Sequence, residues 1–304
     1  MKNFLKLMFL LLPLFIAAGC TSAATSAEEY FSIGMAYFEL GKYEEAEKWL
    51  NRAKSANRTT VASQYNLGRL AFERQRYNEA AVYFENILKR DRNNILALKA
   101  AAYTRIKTGS LDIANKHYQK LLELVPESAD DGYNHALVLY AMERYGEAEQ
   151  VLEKYRISLM EKSEVQLLYA RAQGAQNKAE AINSYSLWLR SNTDAKVRYE
   201  YGMTLEHQQY YARAMEEYRK AVSETHDREL INKIRFALGS LLLTADRDSS
   251  EGISEIQEAV KNGFNDLEAA EKLLIRPGIN PANMERIRNI IKDLRTADKS
   301  ETDS

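Results

Sequence analysis

Chain breakers are scarce. Only 4 Pro and 13 Gly stand among 304 residues, which favours helices over a fold of short strands and turns. There is one Cys, so no internal disulfide can form and no multi-Cys metal site can be built. The four His, at 117, 135, 207 and 226, never fall three or four residues apart, so no helical metal-ligand pair is present. Charge of one sign is missing too: 42 Lys and Arg face 43 Asp and Glu. A formal charge of −1 leaves no electrostatic footprint for nucleic acid. What remains is 45% hydrophobic, 28% charged and rich in Tyr, with 19. That is enough for one large or two small domains.

The longest apolar run, Leu7 to Ala18, follows Lys2 and Lys6. Twelve residues make a helix of about 18 Å, short of the roughly 30 Å of a hydrocarbon core. The run closes on "AAGC" and a small polar string, "TSAATSA". This start resembles a bacterial lipoprotein signal, although Ala17 stands where Leu is usual. The resemblance implies a leader over 1–19, cleavage before Cys20, a lipid on its thiol and a flexible linker over 20–26. Ordinary cleavage at Thr21-Ser22-Ala23 is the alternative. Loss of Lys2 and Lys6 with the leader takes the charge from −1 to about −3. Thr21, rather than Asp, after the Cys implies sorting to an outer membrane.

Beyond the linker the chain repeats itself. A small residue returns at Gly34, Gly68, Ala102, Ala136, Ala170, Gly202 and Gly239, at spacings of 34, 34, 34, 34, 32 and 37. Twelve positions after the first of these comes another small residue, in the series Ala46, Ala80, Ala114, Ala148, Ala181 and Ala214. Four later a large one follows: Leu50, Phe84, Tyr118, Leu152, Tyr185 and Tyr218. Three further on stand Ala53, Ile87, Leu121, Tyr155, Trp188 and Ala221. Steps of four and three mark one face of a helix. The turns "LGKYEEA", "RQRYNEA" and "MERYGEA" recur between the halves.

The pattern resembles tetratricopeptide repeats, helix–turn–helix units of 34 residues. The resemblance implies an all-α, right-handed solenoid of about seven repeats: 27–60, 61–94, 95–128, 129–162, 163–194, 195–228 and 229–261. Small residues at positions eight and twenty let the paired helices approach, and the large residue at twenty-four fills the space beside them. Repeat three departs at Arg105, and repeat five has lost residues in and after its turn. A capping helix is expected within 262–295, started by Asn280-Pro281 and striped by Ile287, Ile290, Ile291 and Leu294. The tail 296–304 is polar enough to predict disorder.

A second stripe lies on the first helices. Positions five, nine and twelve cluster about 100° from the packing face, and the family resemblance implies that they line a concave groove. They hold Phe31, Met35 and Phe38 in repeat one, Tyr65, Arg69 and Phe72 in repeat two, and Lys99, Tyr103 and Ile106 in repeat three. Repeat four supplies Tyr133, Leu137 and Tyr140, and repeat six Tyr199, Met203 and Glu206. Part of such a stripe is core, position five above all. Phe38, Phe72, Tyr103 and Tyr140 are expected in the groove and removable at little cost in stability. The groove therefore predicts protein or peptide partners with apolar or aromatic side chains. Family members that clamp a C-terminal carboxylate use Lys and Asn where Phe31 and Met35 stand here, which argues against that use.

No nucleophile elbow or phosphate loop is present. Glu44-Glu45 and Glu216-Glu217 open second helices, where carboxylates complement the helix dipole. The sequence thus predicts no enzyme, no cofactor, no metal and no nucleic acid. It predicts a lipid-anchored scaffold of the bacterial envelope, facing the periplasm from the outer membrane. A surface-exposed lipoprotein binding external proteins is the alternative. Labelled palmitate should enter the wild-type chain and not Cys20→Ser; equal labelling of both would show that no lipid is attached there.

Overall fold

The computed structural model describes residues 26–56, 60–159, 161–245 and 250–302, with side chains described through 295. The leader 1–19 and Cys20 lie outside the described residues. Among the described residues there are seventeen helices and no strand. They pair as the period requires: α1 (Ala27–Glu39) with α2 (Tyr43–Ser55), α3 (Thr60–Glu73) with α4 (Tyr77–Arg90), and α5 (Ile95–Lys107) with α6 (Leu111–Leu124). These pairs and the start of α7 (Ala129–Ala141) form one compact unit, which ends at Asp131. The second unit begins at Gly132. It holds the rest of α7, then α8 (Tyr145–Lys154), α9 (Arg156–Leu159), α10 (Ser163–Ala175) and α11 (Glu180–Ser191). It continues with α12 (Ala195–His207), α13 (Tyr211–Ser223), α14 (Arg228–Ala245), α15 (Ser250–Lys261), α16 (Leu267–Leu273) and α17 (Pro281–Thr302). In each unit the first helices of successive repeats approach one another more closely than the second helices do. The first-helix layer is therefore the inner side.

Two local devices start the helices. Ser26 caps α1 in a reciprocal box: Glu29 N–H donates to its Oγ at 3.1 Å, and Ser26 N–H donates to Glu29 Oε2 at 2.7 Å. Asn94, Asp194 and Asp266 cap α5, α12 and α16 with one side-chain acceptor each. Most second helices start without a side-chain cap, directly from a turn in which position fifteen is left-handed. Gly41 and Gly109 hold φ of 69° and 70°, and Gln75, Glu143, Asn177 and Gln209 hold 59°, 60°, 55° and 63°. Each turn is closed by an amide reaching five residues back, as from Lys42 to Tyr37 and from Arg76 to Ala71, both 2.9 Å or less. Four of six units thus accept a left-handed conformation at a side chain larger than Gly, at a cost the closed turn offsets.

The packing positions read from the period are buried throughout. The alanines at position twenty are all 0% exposed, and the large residues that follow are 3% exposed or less. Their partners are the small residues at position eight. A Cβ on Gly34 would lie 2.9 Å from Leu50 Cγ, on Gly68 2.6 Å from Phe84 Cε1, and on Gly202 2.4 Å from Tyr218 Cε1. Full burial of such a side chain contributes about 1.5–3 kcal/mol, which helices of ten to fourteen residues need, since alone they are marginal in water.

The sequence expectations are corrected at three places. The second helix of repeat four stops at Lys154 and resumes as the four-residue α9. Between them Tyr155, 6% exposed, turns its ring onto Gly132, where an added Cβ would come within 2.2 Å. The C-terminal cap is two helices, not one: α16 and α17 share a core with α14 and α15, through Phe236, Ile256, Leu273 and Ile287 among others. The tail expected to be disordered is helical through Thr302. Once α17 is nucleated, each further residue adds a hydrogen bond, and no Gly or Pro follows Pro281. Ala80→Leu should overpack repeat two and lower its stability by about 1–3 kcal/mol; an unchanged melting curve would place the repeat register elsewhere.

Candidate protein-interaction face

The second stripe stays out of the core. None of Phe31, Met35, Phe38, Tyr65, Arg69, Phe72, Tyr103, Ile106, Tyr133, Leu137, Tyr140, Tyr199 and Met203 is buried. Tyr103, Leu137 and Met203 are exposed, at 46%, 38% and 37%. Position five leans inward: Tyr65 sits 5.6 Å from Phe84 and Tyr199 5.7 Å from Tyr218, ring to ring, each at the edge of its own repeat's core. Phe31 and Met35 likewise rest on the cluster around Leu50 and Leu67.

Position twelve has a structural duty that the spacing did not reveal. Phe38 meets Tyr43, Phe72 meets Tyr77 and Tyr140 meets Tyr145, at 5.9, 5.1 and 5.1 Å between centroids. Each pair closes the same turn from the inner side, so these rings are not free of the fold. The turn tyrosines recur in the sequence five positions on, within the repeated turns.

In the first unit the stripe is continuous from repeat to repeat. The Arg69 guanidinium lies over the Phe38 ring at 4.8 Å, linking repeats two and one. Phe72 and Tyr103 lie 5.4 Å apart, linking repeats two and three. Leu96, 60% exposed, and half-buried Ile106 extend the same face of α5. Lys99 is turned to another task, pairing with the buried Asp131 at 2.6 Å.

In the second unit the corresponding face carries ion pairs. Arg171, at position nine of repeat five, donates twice to Glu200, at 2.8 and 3.0 Å. Burial works against its charge, but the Glu200 bonds outweigh it and hold its pKa above the ordinary value. A cavity of about 320 Å³ opens here, lined by Tyr140, Arg171, Tyr185, Glu200, Met203 and His207. Burial, and then the charge of Glu200, push the Tyr140 hydroxyl up, so it stays a neutral donor and acceptor. Continuing the period from Leu137 by 34 residues would have found Arg171. A second cavity, about 230 Å³, runs from Tyr199 and Met203 to Leu273 and Arg276. Its far wall is the C-terminal cap, and Arg276 reaches Glu206 across it at 3.4 Å. Tyr199 therefore faces the chain's own cap. Among the described residues no three His, Cys, Asp or Glu side chains converge as metal ligands.

The repeat geometry agrees with comparison. The profile described as Tetratricopeptide repeat matches residues 27–60, 61–94 and 195–225. In these three segments the chain carries tetratricopeptide repeats. Over 142 residues it is 28% identical to an uncharacterised lipoprotein of Treponema pallidum (strain Nichols), an alignment covering 47% of this chain and 72% of that protein. A tetratricopeptide repeat protein from Parabacteroides merdae ATCC 43184 superposes with a TM-score of 0.55 at 22% identity, over 81% of this chain and 97% of that one. YrrB, described as a tetratricopeptide protein with an unusual peptide-binding site, superposes with a TM-score of 0.53 at 18% identity, over 60% of this chain and 95% of its own. At these identities the two structures speak for the fold alone; the matched repeat profile marks it as a scaffold suited to protein–protein interaction.

Core and face can be separated by substitution. Leu67→Ala, deep between repeats at 1% exposure, should cost about 2–5 kcal/mol. Phe72→Ala should cost about 1 kcal/mol through its pairs with Tyr77 and Tyr103. Denaturant titration reads both. An equal loss for the two would make Phe72 core.

Proposed function

We propose that the protein is a lipid-anchored tetratricopeptide scaffold that holds apolar or aromatic segments of other proteins during assembly of a bacterial envelope. The observation that carries this is the unburied stripe from Phe38 through Arg69 and Phe72 to Tyr103, in ring contact across three repeats. Rings and aliphatic side chains left half open over such a length are a liability unless another chain covers them. Aromatic and Arg side chains are also the groups that dominate protein interfaces. The peptide-binding description of YrrB supports use of this fold for segments rather than for small molecules. The second unit's cavity at Tyr140 and Met203 offers a further, more polar berth.

Anchoring is supported by the "AAGC" boundary at Cys20 and by the relative described as a lipoprotein. No helix among the described residues is long and apolar enough to cross a membrane. A lipid on Cys20 would supply the attachment, each acyl CH₂ contributing about 0.8 kcal/mol. Thr21 favours the outer membrane, with the repeats in the periplasm.

Crosslinking and affinity capture from envelope membranes test the scaffold. A partner recovered with the wild type should be depleted with Phe72→Ala, Tyr140→Ala, because each interface anchor lost costs about 2 kcal/mol, or about thirtyfold in affinity. Undiminished capture by a variant that still melts cooperatively would remove the inner faces of both units from the mechanism.

A further inference from the structure

The charges on the inner face are not distributed evenly. In the second unit Arg171 is answered by Glu200 and Arg276 by Glu206. In the first unit Lys99 is answered by Asp131. Arg69 and Lys107 are different. Each lies over a ring of the stripe, Arg69 over Phe38 at 4.8 Å and Lys107 over Tyr103 at 5.6 Å. Among the described residues neither has a carboxylate within 4.0 Å; Glu39 and Glu73, one position past the stripe on α1 and α3, pair with neither.

Arg69 is also held in place. Its Nη1 donates to Asn66 Oδ1 at 3.0 Å, and the Asn66 amide in turn donates to the Ala62 carbonyl at 2.9 Å. Ring below and amide behind fix the plane of a half-buried guanidinium. The donors not used by Asn66 have no acceptor of the chain among the bonds of this face. A guanidinium so arranged is ready for a planar carboxylate, which it can grip through two parallel bonds. Its neighbours, Phe72 and Met35 at the flanking stripe positions, are apolar, so a carboxylate bound here would have apolar residues on either side of it.

Resting on the proposed scaffold function, we infer that Arg69 sets the specificity of the first unit's face: it selects an apolar or aromatic segment that carries an internal Asp or Glu. Lys107 adds a second, looser attraction for acidic character toward repeat three. A free C-terminal carboxylate is not required, because a single guanidinium in a strip of rings recognises a side-chain carboxylate equally well.

The test uses a displayed library of random peptides, twelve residues long and blocked at the C-terminus, selected against the detergent-solubilised full chain and against Arg69→Gln and Arg69→Glu. The wild type should enrich apolar peptides with one acidic position. Changing that residue to its amide in a synthetic copy should weaken binding about tenfold. Arg69→Gln should lose the acidic preference while keeping apolar enrichment, and Arg69→Glu should replace it with Lys or Arg. Both variants should melt as the wild type does, within the small cost of one ring stack. Apolar enrichment with no acidic position, or with the same acidic position in Arg69→Glu, overturns the inference and leaves the scaffold function standing. No apolar enrichment by any of the three chains overturns both.

Discussion

Everything in this molecule depends on a small residue meeting a large one. Position eight of each first helix must be small enough for the side chain at position twenty-four to lie against its backbone. At Gly202 and Tyr218 the space left for a Cβ is only 2.4 Å, and at Gly68 and Phe84 2.6 Å. That contact sets the separation of the two helices, and so the phase of every other residue on them. Because each short helix is marginal in isolation, stability resides in these contacts and in those between neighbouring repeats, as a solenoid requires.

The same constraint creates the inner face. A helix that commits positions four, seven, eight and eleven to packing turns positions nine and twelve toward the inner side. The fold does not leave that face idle. Rings at position twelve close the turns, and cations at position nine bridge repeats, as Arg69 does over Phe38 and Arg171 does to Glu200. Surface ion pairs contribute little to stability individually. Their larger effect here is on what remains unmatched: apolar rings with an uncompensated guanidinium in the first unit, and a neutralised, more polar cavity in the second.

The ends of the repeat array are finished differently from its middle. After α15 the chain folds α16 back toward the inner side of α14, with Phe264 stacked on Phe236 at 4.2 Å. Arg276, 70 residues beyond Glu206, then bonds to it. Tyr199 and Glu206 of repeat six thus face the chain's own cap, while Met203 stays exposed. The inner face of the second unit is shortened accordingly.

The repeat, its packing stripe and the phase of the inner face were legible in the sequence, because all three are periodic. Ala46, Ala80 and Ala114 announce a close approach by recurrence alone, and a large side chain four residues later announces what fills it. Helical spacing alone then separates Phe72 from Leu67. Tertiary structure decided whatever has no period. Tyr155 fills the space over Gly132 because that one repeat lacks a side chain there. Tyr43, Tyr77 and Tyr145 become partners of position twelve only when the turn folds the two helices together. Whether a cation of the inner face finds a carboxylate depends on which residue of an adjoining repeat reaches it. Asp131 reaches Lys99 and Glu200 reaches Arg171, while among the described residues Arg69 meets the Phe38 ring and the Asn66 amide and no carboxylate. Local spacing specifies direction along a helix; the distance between two charges on different helices is set by how the helices stack.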